Sequence, residues 1–530
     1  MSLFCQSLVL LLLHLVASAA AMLRVLLPGR PIRAAALASA ATPEVRVPDY
    51  AAFDWMKHWY PVMWSRDAPL DKPTRLTLFD TDYAVVLRSD GSPPLALLDV
   101  CPHRLAALSE GRLTEQGFLQ CAYHGWAFDG EGSCKAIPQR PTGGTRPSSA
   151  CAQAVNAVES QGIVWLNPAP RGTPGLAAVP RVPQMDDPKY RWTPAVRDMP
   201  VDYSLLVQNI LDPDHGLFAH QAPSFDLYSA TAAEPLNVTI FSTGAGELTI
   251  EARVAAKPKL TAKRTSSQKS PEVKGINRFT LPSSITTYRE DEDGETNFLA
   301  CFFVSPTGVG RSRFMAAGVS KGPAVPRWLL HVFLNNFLDQ DTFLLATQQP
   351  HVLREELDRY LAMQTDSSGN AANRSIKAAS LHQLRRKLFQ YRSPTEKLLL
   401  EVSRFLDETV PRMPNRYKTK TLFQRALRPR HVVLDRYAQH TSICPDSRAA
   451  SDRLKAGRNM ACILALAGLS HASGCSRSLL KGALAASFGL ALLGLAAHLL
   501  EKQFHFCYDE RKRNADLANI PTVFADDRLQ

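Results

Sequence analysis

Cys101-Pro-His103 and Cys121-Ala-Tyr-His124-Gly-Trp126, with seventeen residues between His103 and Cys121, place one cysteine and one histidine on each of two short segments. Two thiolates on one iron and two imidazoles on the other make a Rieske [2Fe–2S] cluster. Imidazole gives up less electron density than thiolate, so the potential of such a cluster lies above that of an all-cysteine one. Two Cys and two His also make tetrahedral zinc sites, but zinc spacing groups like ligands together, and here each segment offers one of each. The chemistry implied is single-electron transfer through Cys101, His103, Cys121 and His124.

Elements suited to holding such loops surround them. Tyr83-Ala-Val-Val-Leu-Arg-Ser89 and Leu95-Ala-Leu-Leu-Asp-Val100 read as strands joined by a turn at Asp90-Gly91, and the first ligand loop follows at once. Gly117-Phe-Leu-Gln-Cys121 and Gly125-Trp-Ala-Phe-Asp-Gly130 read as a second hairpin carrying the other loop. Ile137-Pro-Gln139 is placed to form a third loop over the cluster. Ligands on hairpin tips leave both imidazoles at the surface, where an electron can leave.

A second cluster of ligating types is Asn209-Ile-Leu-Asp212-Pro-Asp-His215-Gly-Leu-Phe-Ala-His220. His215 and His220 are five apart, about 140° around an ideal helix, so an unbroken helix would separate them. Pro213 and Gly216 break it and let the two converge. A His pair in an apolar segment is often only structural. In a chain with a Rieske centre, an electron acceptor is needed, and two histidines with one carboxylate make the facial triad of non-haem Fe(II) oxygenases, which leaves positions open for O2. Downstream, residues 328–349 have helical apolar spacing and contain two candidates for the carboxylate, Asp339 and Asp341.

The 530 residues allow two or three domains. The net charge of +12 comes largely from the N-terminal segment and from Arg/Lys clusters at 374–397 and 412–430. No nucleic-acid motif goes with them, so the expectation is no nucleic acid; a basic face toward an acidic protein or anionic lipid, or a plain solvated surface, fits better. Residues 1–43 lack Asp and Glu and combine an apolar run at 8–16 with Arg24, Arg30 and Arg33, which reads as a targeting segment over 1–44. Ten cysteines do not look like a disulfide scaffold. Near the C-terminus, residues 482–500 are uncharged and just long enough to span a bilayer, with a weaker apolar stretch at 460–469 before them. One or two membrane helices over 458–502, then a tail over 503–530, are expected.

With these pieces assembled the chain resembles the pheophorbide a oxygenase-like family of plastid Rieske non-haem iron oxygenases, whose relatives include chlorophyllide a oxygenase and a translocon-associated Rieske protein. Beyond the metal motifs, the resemblance rests on Trp59-Tyr-Pro-Val-Met63, Asp198-Met-Pro200, Val325-Pro-Arg-Trp328, Leu434-Asp-Arg-Tyr-Ala-Gln-His-Thr441 and Phe504-His-Phe506. It implies an α+β fold: an N-terminal Rieske β domain (54–168), a C-terminal α/β catalytic domain with an antiparallel, helix-grip-like sheet (180–440), and C-terminal membrane helices. It also implies a [2Fe–2S] cluster and a mononuclear Fe(II) held by His215, His220 and Asp341, with Asp339 as competitor. Asp212 matches a carboxylate that links a Rieske histidine of one subunit to an iron histidine of its neighbour, and Asn209 opens the same motif. The partners implied are reduced ferredoxin, O2, a tetrapyrrole substrate, a plastid membrane and two further copies in a homotrimer. The chain departs from the family at Cys444-Pro-Asp-Ser447, where relatives carry Cys-x-x-Cys; without the second thiol a local disulfide cannot form there.

Overall fold

A computed structural model describes residues 49–140, 148–212, 215–220, 237–243, 247–256, 273–290, 296–320, 325–364, 380–393, 396–426, 430–472, 477–506, 508 and 510–517. The expected targeting segment and most of the tail lie outside the described residues. The chain divides into two compact units. One comprises 44–320, 333–445 and 507–530; the other comprises 1–43, 321–332 and 446–506.

In the larger unit, the N-terminal part is all β. Strands β1 (Tyr60–Trp64), β9 (Val155–Ser160) and β10 (Ile163–Pro170) form an antiparallel sheet in the order β1-β10-β9. β2 (Thr74–Leu78), β3 (Thr81–Val86) and β4 (Leu95–Leu98) form a second. β3 runs Tyr-Ala-Val-Val with no exposed side chain, as expected of a strand covered on both faces. Four short strands, β5 (Arg112–Leu113), β6 (Leu119–Gln120), β7 (Ala127–Phe128) and β8 (Cys134–Ala136), form a third sheet. The β3–β4 and β6–β7 hairpins are those read from the sequence, and Gly91 takes the positive φ of +77° that the Asp90-Gly91 turn requires.

The same unit continues into one seven-stranded antiparallel sheet: β11 (Arg191–Met199), β12 (Asn237–Thr243), β13 (Glu247–Ala256), β14 (Val273–Thr280), β15 (Ser284–Glu290), β16 (Thr296–Gly308) and β17 (Arg311–Ser320), ordered β11-β17-β16-β15-β14-β13-β12. Two helices carry the chemistry beside it. α1 (Tyr203–Leu211) starts at Asp202, whose carboxylate caps the Ser204 N–H, and the five-residue α2 (His215–Ala219) follows. The long α3 (Arg327–Gln364) continues through Pro350 and extends well beyond the 328–349 span expected. α4 (Lys397–Thr409) buries Leu398, Val402, Phe405 and Leu406, an i, i+4, i+7, i+8 stripe, and joins one core with β2, β13 and Tyr50. The β part and the seven-stranded sheet are tied by polar contacts. Arg313 clamps Asp198 with two 2.7 Å bonds and donates to the Val62 carbonyl, while Trp64 Nε1 donates to Ala195 O.

In the smaller unit, α5 (Pro445–Ala472) and α6 (Arg477–Phe504) are each 28 residues long. They pack on small residues. A Cβ on Gly494 would lie 3.5 Å from Ala461 Cβ, and one on Gly468 would collide with Ser487 Oγ. Arg458 pairs with Glu501, and Ser451 Oγ lies 3.1 Å from His505 Nε2. The first helix is much longer than the 460–469 stretch suggested, because a charged first half, residues 445–458, precedes the apolar part. Within α6, Leu479–Phe504 is long and apolar enough to cross a membrane, and little of it is buried.

Candidate metal centres

The two cysteine–histidine loops have the same backbone build. Cys101 N–H donates to Ala106 O and Leu105 N–H donates to Cys101 O; Cys121 N–H donates to Trp126 O and Gly125 N–H donates to Cys121 O. Each loop therefore turns through a residue four beyond its cysteine, in the left-handed region: Gly125 at φ +75° and Leu105 at φ +60°. Glycine is required at 125, because a Cβ there would also press Pro138 at 3.0 Å. Leu105 takes the conformation with a branched side chain, 75% exposed, at the rim of the site.

Cys101 and Cys121 are buried, and burial pushes the Cys101 thiol up to about 11. Two desolvated sulfurs side by side need a bound cation to stay ionised. The His103 and His124 rings lie 4.5 Å apart, and His103 stacks flat on Trp126. His103 Nδ1 is buried with no hydrogen-bond partner, an atom that a metal would satisfy. Ile137 packs into the core beneath, and Gln139 Nε2 donates to His124 O at 2.8 Å, so the third loop lies on the second ligand loop. This donor set fits the cluster.

The second centre forms where α1, α2 and α3 meet. One ligating atom from each of His215, His220 and Asp341 lies within 4.8 Å of the others. His215 opens α2 and His220 follows its end, and the two rings lie 5.2 Å apart between centroids; Gly216, expected to break the helix, lies within it, and Pro213 lies outside the described residues. Asp341 Oδ1 is 3.0 Å from His220 Nε2 and 3.5 Å from His215 Nε2. His220 Nε2 is buried and, though near the carboxylate, meets nothing at a hydrogen-bonding angle. His220 Nδ1 lies 3.0 Å from Gln340 Oε1, and His215 Nδ1 lies 2.5 Å from Asp212 O. Acceptors at both Nδ1 atoms orient the rings so that both Nε2 atoms turn toward Asp341. Asn209 Nδ2 donates to Asp341 Oδ1 at 3.2 Å. Burial alone would raise the Asp341 carboxyl, but His220, His215 and Asn209 hold it below the usual carboxylate range. Two imidazoles and one carboxylate converging in this way fit a divalent iron.

Asp339 faces elsewhere. It is fully buried and bonds Arg197 at 2.7 Å and Arg436, while Arg436 also reaches Asn336. Two residues along a helix is about 200° of rotation, so Asp339 and Asp341 cannot share a face. Arg436 and Gln439 come from the Leu434–Thr441 motif; Gln439 Oε1 accepts from Arg197, and His440 Nδ1 meets Val196 O at 2.6 Å. That motif is thus the back support of the helix that presents Asp341. Asp212 caps α1, and its link to His215 runs through its backbone carbonyl, while its carboxylate accepts the His215 backbone N–H. Cys444 is buried, and Ser447 Oγ lies 3.0 Å from His331 Nδ1.

The sequence reading passed over Gln340 and Phe337, which stacks on His220 at 3.5 Å. Their helical spacing from Asp341 (Phe337, Gln340, Asp341 lie on one face) was the available signal.

Comparison with known proteins finds two domain models along the chain. A Rieske [2Fe-2S] domain model matches residues 58–156, and a pheophorbide a oxygenase model matches residues 279–358. The chain carries a Rieske domain and a pheophorbide a oxygenase domain. Its cofactors are a [2Fe–2S] cluster and a mononuclear iron. The chain is 32% identical over 334 residues to "Protein TIC 55, chloroplastic" of Arabidopsis thaliana, covering 60% of this chain and 59% of the relative. It is 27% identical over 419 residues to "Pheophorbide a oxygenase, chloroplastic" of Oryza sativa subsp. japonica, covering 75% and 73%. Among solved structures, dicamba monooxygenase bound to dicamba aligns at a TM-score of 0.46 and 22% identity, over 68% of this chain and 99% of that one. The chain thus spans about three-fifths of the length of the TIC 55 relative.

Proposed function

We propose that this protein is an O2-dependent Rieske oxygenase that acts on a chlorophyll-derived tetrapyrrole, with ring opening of the pheophorbide a type as the reaction. The observation that carries the reading is the convergence of His215, His220 and Asp341 in the same chain as the paired Cys-His loops. A pure electron carrier has no use for a second, buried ligand set in which His215, His220 and Asp341 converge.

Cys101, His103, Cys121 and His124 are assigned to the cluster and His215, His220 and Asp341 to the mononuclear iron. The iron supplies open positions for O2 beside the substrate. The chain's own residues prepare that site. Gln340 and the Asp212 carbonyl orient the imidazoles, Asn209 holds the Asp341 carboxylate, and Phe337 covers the His220 ring against water. His103, stacked on Trp126 near the exposed Tyr123 and Leu105, is the side of the cluster from which an electron leaves. The Asp212 carboxylate is assigned the bridging role toward a Rieske histidine of a neighbouring copy, within a homotrimer. Reduced ferredoxin is the electron donor. The Rieske domain is assigned to 54–168, the catalytic domain to 180–440 and the anchor, in a plastid membrane, to 458–502; the apolar α6 and the chloroplastic relatives support that placement.

The test is to incubate the full-length protein with pheophorbide a, ferredoxin, its reductase, NADPH and O2, and to follow product mass. An oxygenated, ring-opened product is expected. No product from pheophorbide a or chlorophyllide a, with iron bound and the cluster cycling, would overturn the tetrapyrrole assignment. The likeness to "Protochlorophyllide-dependent translocon component 52, chloroplastic" of Arabidopsis thaliana favours one second reading, a membrane-bound redox protein associated with a translocon. It would leave O2 consumption unchanged in an Asp341→Ala variant.

A further inference from the structure

We propose that the C-terminal tail beyond the long apolar helix is part of the iron site, with Arg513 as a positioning residue for His220. Arg513 lies on α7 (Glu510–Leu517) and is 9% exposed. Its Nη1 donates to the Ala219 carbonyl at 3.4 Å, and its guanidinium lies 6.0 Å from the Phe343 ring centroid. Tyr508, also buried, meets Phe343 edge-on at 5.4 Å.

Each of these partners adjoins a ligand. Ala219 ends α2 and precedes His220, and its carbonyl is one of those that a helix leaves without an internal partner. Phe343 follows Asp341 by two residues on α3. The tail therefore grips the backbone beside one iron ligand and the helix that presents another, from 294 positions away in the chain in the case of Ala219. Among the described residues Arg513 has no carboxylate within ion-pairing distance. Withdrawing a guanidinium from water is costly, and among the described residues a carbonyl and a ring face hold it. Through Gln340 the His220 ring is oriented from α3; through Ala219 its backbone is held from α7. Removing the second hold leaves the ring anchored at one end, and partners that orient a metal ligand are typically worth about 10–100-fold in metal affinity.

The proposal rests on reading His215, His220 and Asp341 as the iron site, and the experiment separates the two. Full-length wild type, Arg513→Met, Arg513→Lys and His220→Ala are stripped of mononuclear iron and titrated with Fe(II). The Rieske absorbance reports folding, and the EPR spectrum of the ferrous–nitrosyl adduct reports ligand geometry. Arg513→Met is expected to bind Fe(II) about tenfold more weakly with an altered nitrosyl spectrum, and Arg513→Lys, which keeps charge and a donor, to recover most of both. Tyr508→Leu, which loosens the tail at Phe343 only, is expected to shift the spectrum in the same sense if Arg513→Met does not fold. An unchanged affinity and spectrum in Arg513→Met, or in Tyr508→Leu where only that variant folds, overturns the proposal. Wild type that binds no Fe(II) beyond its cluster overturns the iron-site reading instead.

Discussion

Asp339 and Asp341 are two residues apart, and their surroundings give them opposite work. Asp341 turns to two imidazoles, and Asp339 neutralises two buried guanidiniums. Replacing Asp341 with Ala is expected to remove mononuclear iron, measured by metal analysis, with little effect on thermal unfolding. Asp339→Asn leaves Arg197 and Arg436 buried without their carboxylate, at a cost of about 3–5 kcal/mol. Its unfolding temperature, followed by loss of Rieske absorbance, should fall sharply; iron retained by Asp341→Ala and lost by a stable Asp339→Asn would reverse the assignment. Gln340→Leu removes the acceptor at His220 Nδ1 and should weaken Fe(II) binding about 10–100-fold while sparing the cluster. The ligand types and the His pair were legible in the sequence, since pairing and spacing are local. Which aspartate faced inward was not, because helix geometry separates the two candidates without saying which face meets α2.

Among the elements, α1 and α3 must keep register for Asn209 to reach Asp341, and a buried network ties their far ends. Arg416 bonds Asp202 at the start of α1 and Glu356 near the end of α3, and Arg385 and Arg386 meet Asp407 of α4. Burial by itself would raise the Asp202 carboxyl; Arg416, the Gly310 N–H and Ser204 hold it at about 2 instead. A folded-state value below the unfolded 3.8 stabilises the fold fully above that pH, and the contribution is lost as pH falls toward 2. Acid titration of wild type should therefore lose about 2–3 kcal/mol over that window. Asp202→Asn should be less stable at neutral pH and flatter across the window; an equally steep loss would show that another group carries it. The two hairpins were readable because turn residues and short apolar runs are short-range signals; the pairing of the seven-stranded sheet was not. The extent of α3 was not, because Pro350 reads as a stop and the surrounding packing carries the helix through it.

For the whole molecule, the order of β part, sheet and C-terminal helices was what the family resemblance implied, but the path of the chain after α6 was not. Tyr508 and Arg513 return to the elements that hold His220 and Asp341, a contact with no local trace in sequence. That return bears on the proposed anchor. If α6 crossed a bilayer alone, the tail would emerge on the side opposite the iron site. A hairpin of α5 and α6 that enters and comes back leaves both on one side, and small-residue packing at Gly468 and Gly494 suits such a pair. In sealed vesicles holding the full chain, a tag after Gln530 and an epitope in the Rieske loops should be protected from, or exposed to, protease together; opposite outcomes would require a single crossing.

The central claim is that electrons held on the Rieske cluster are spent at the His215–His220–Asp341 centre. The most direct measurement is a single turnover: the full-length protein is reduced anaerobically, mixed with O2 and pheophorbide a, and its Rieske absorbance is followed in wild type and Asp341→Ala. Rapid reoxidation with product in wild type, and a cluster that stays reduced with no product in the variant, is the expected result. Equal reoxidation in both, with product in neither, would contradict it.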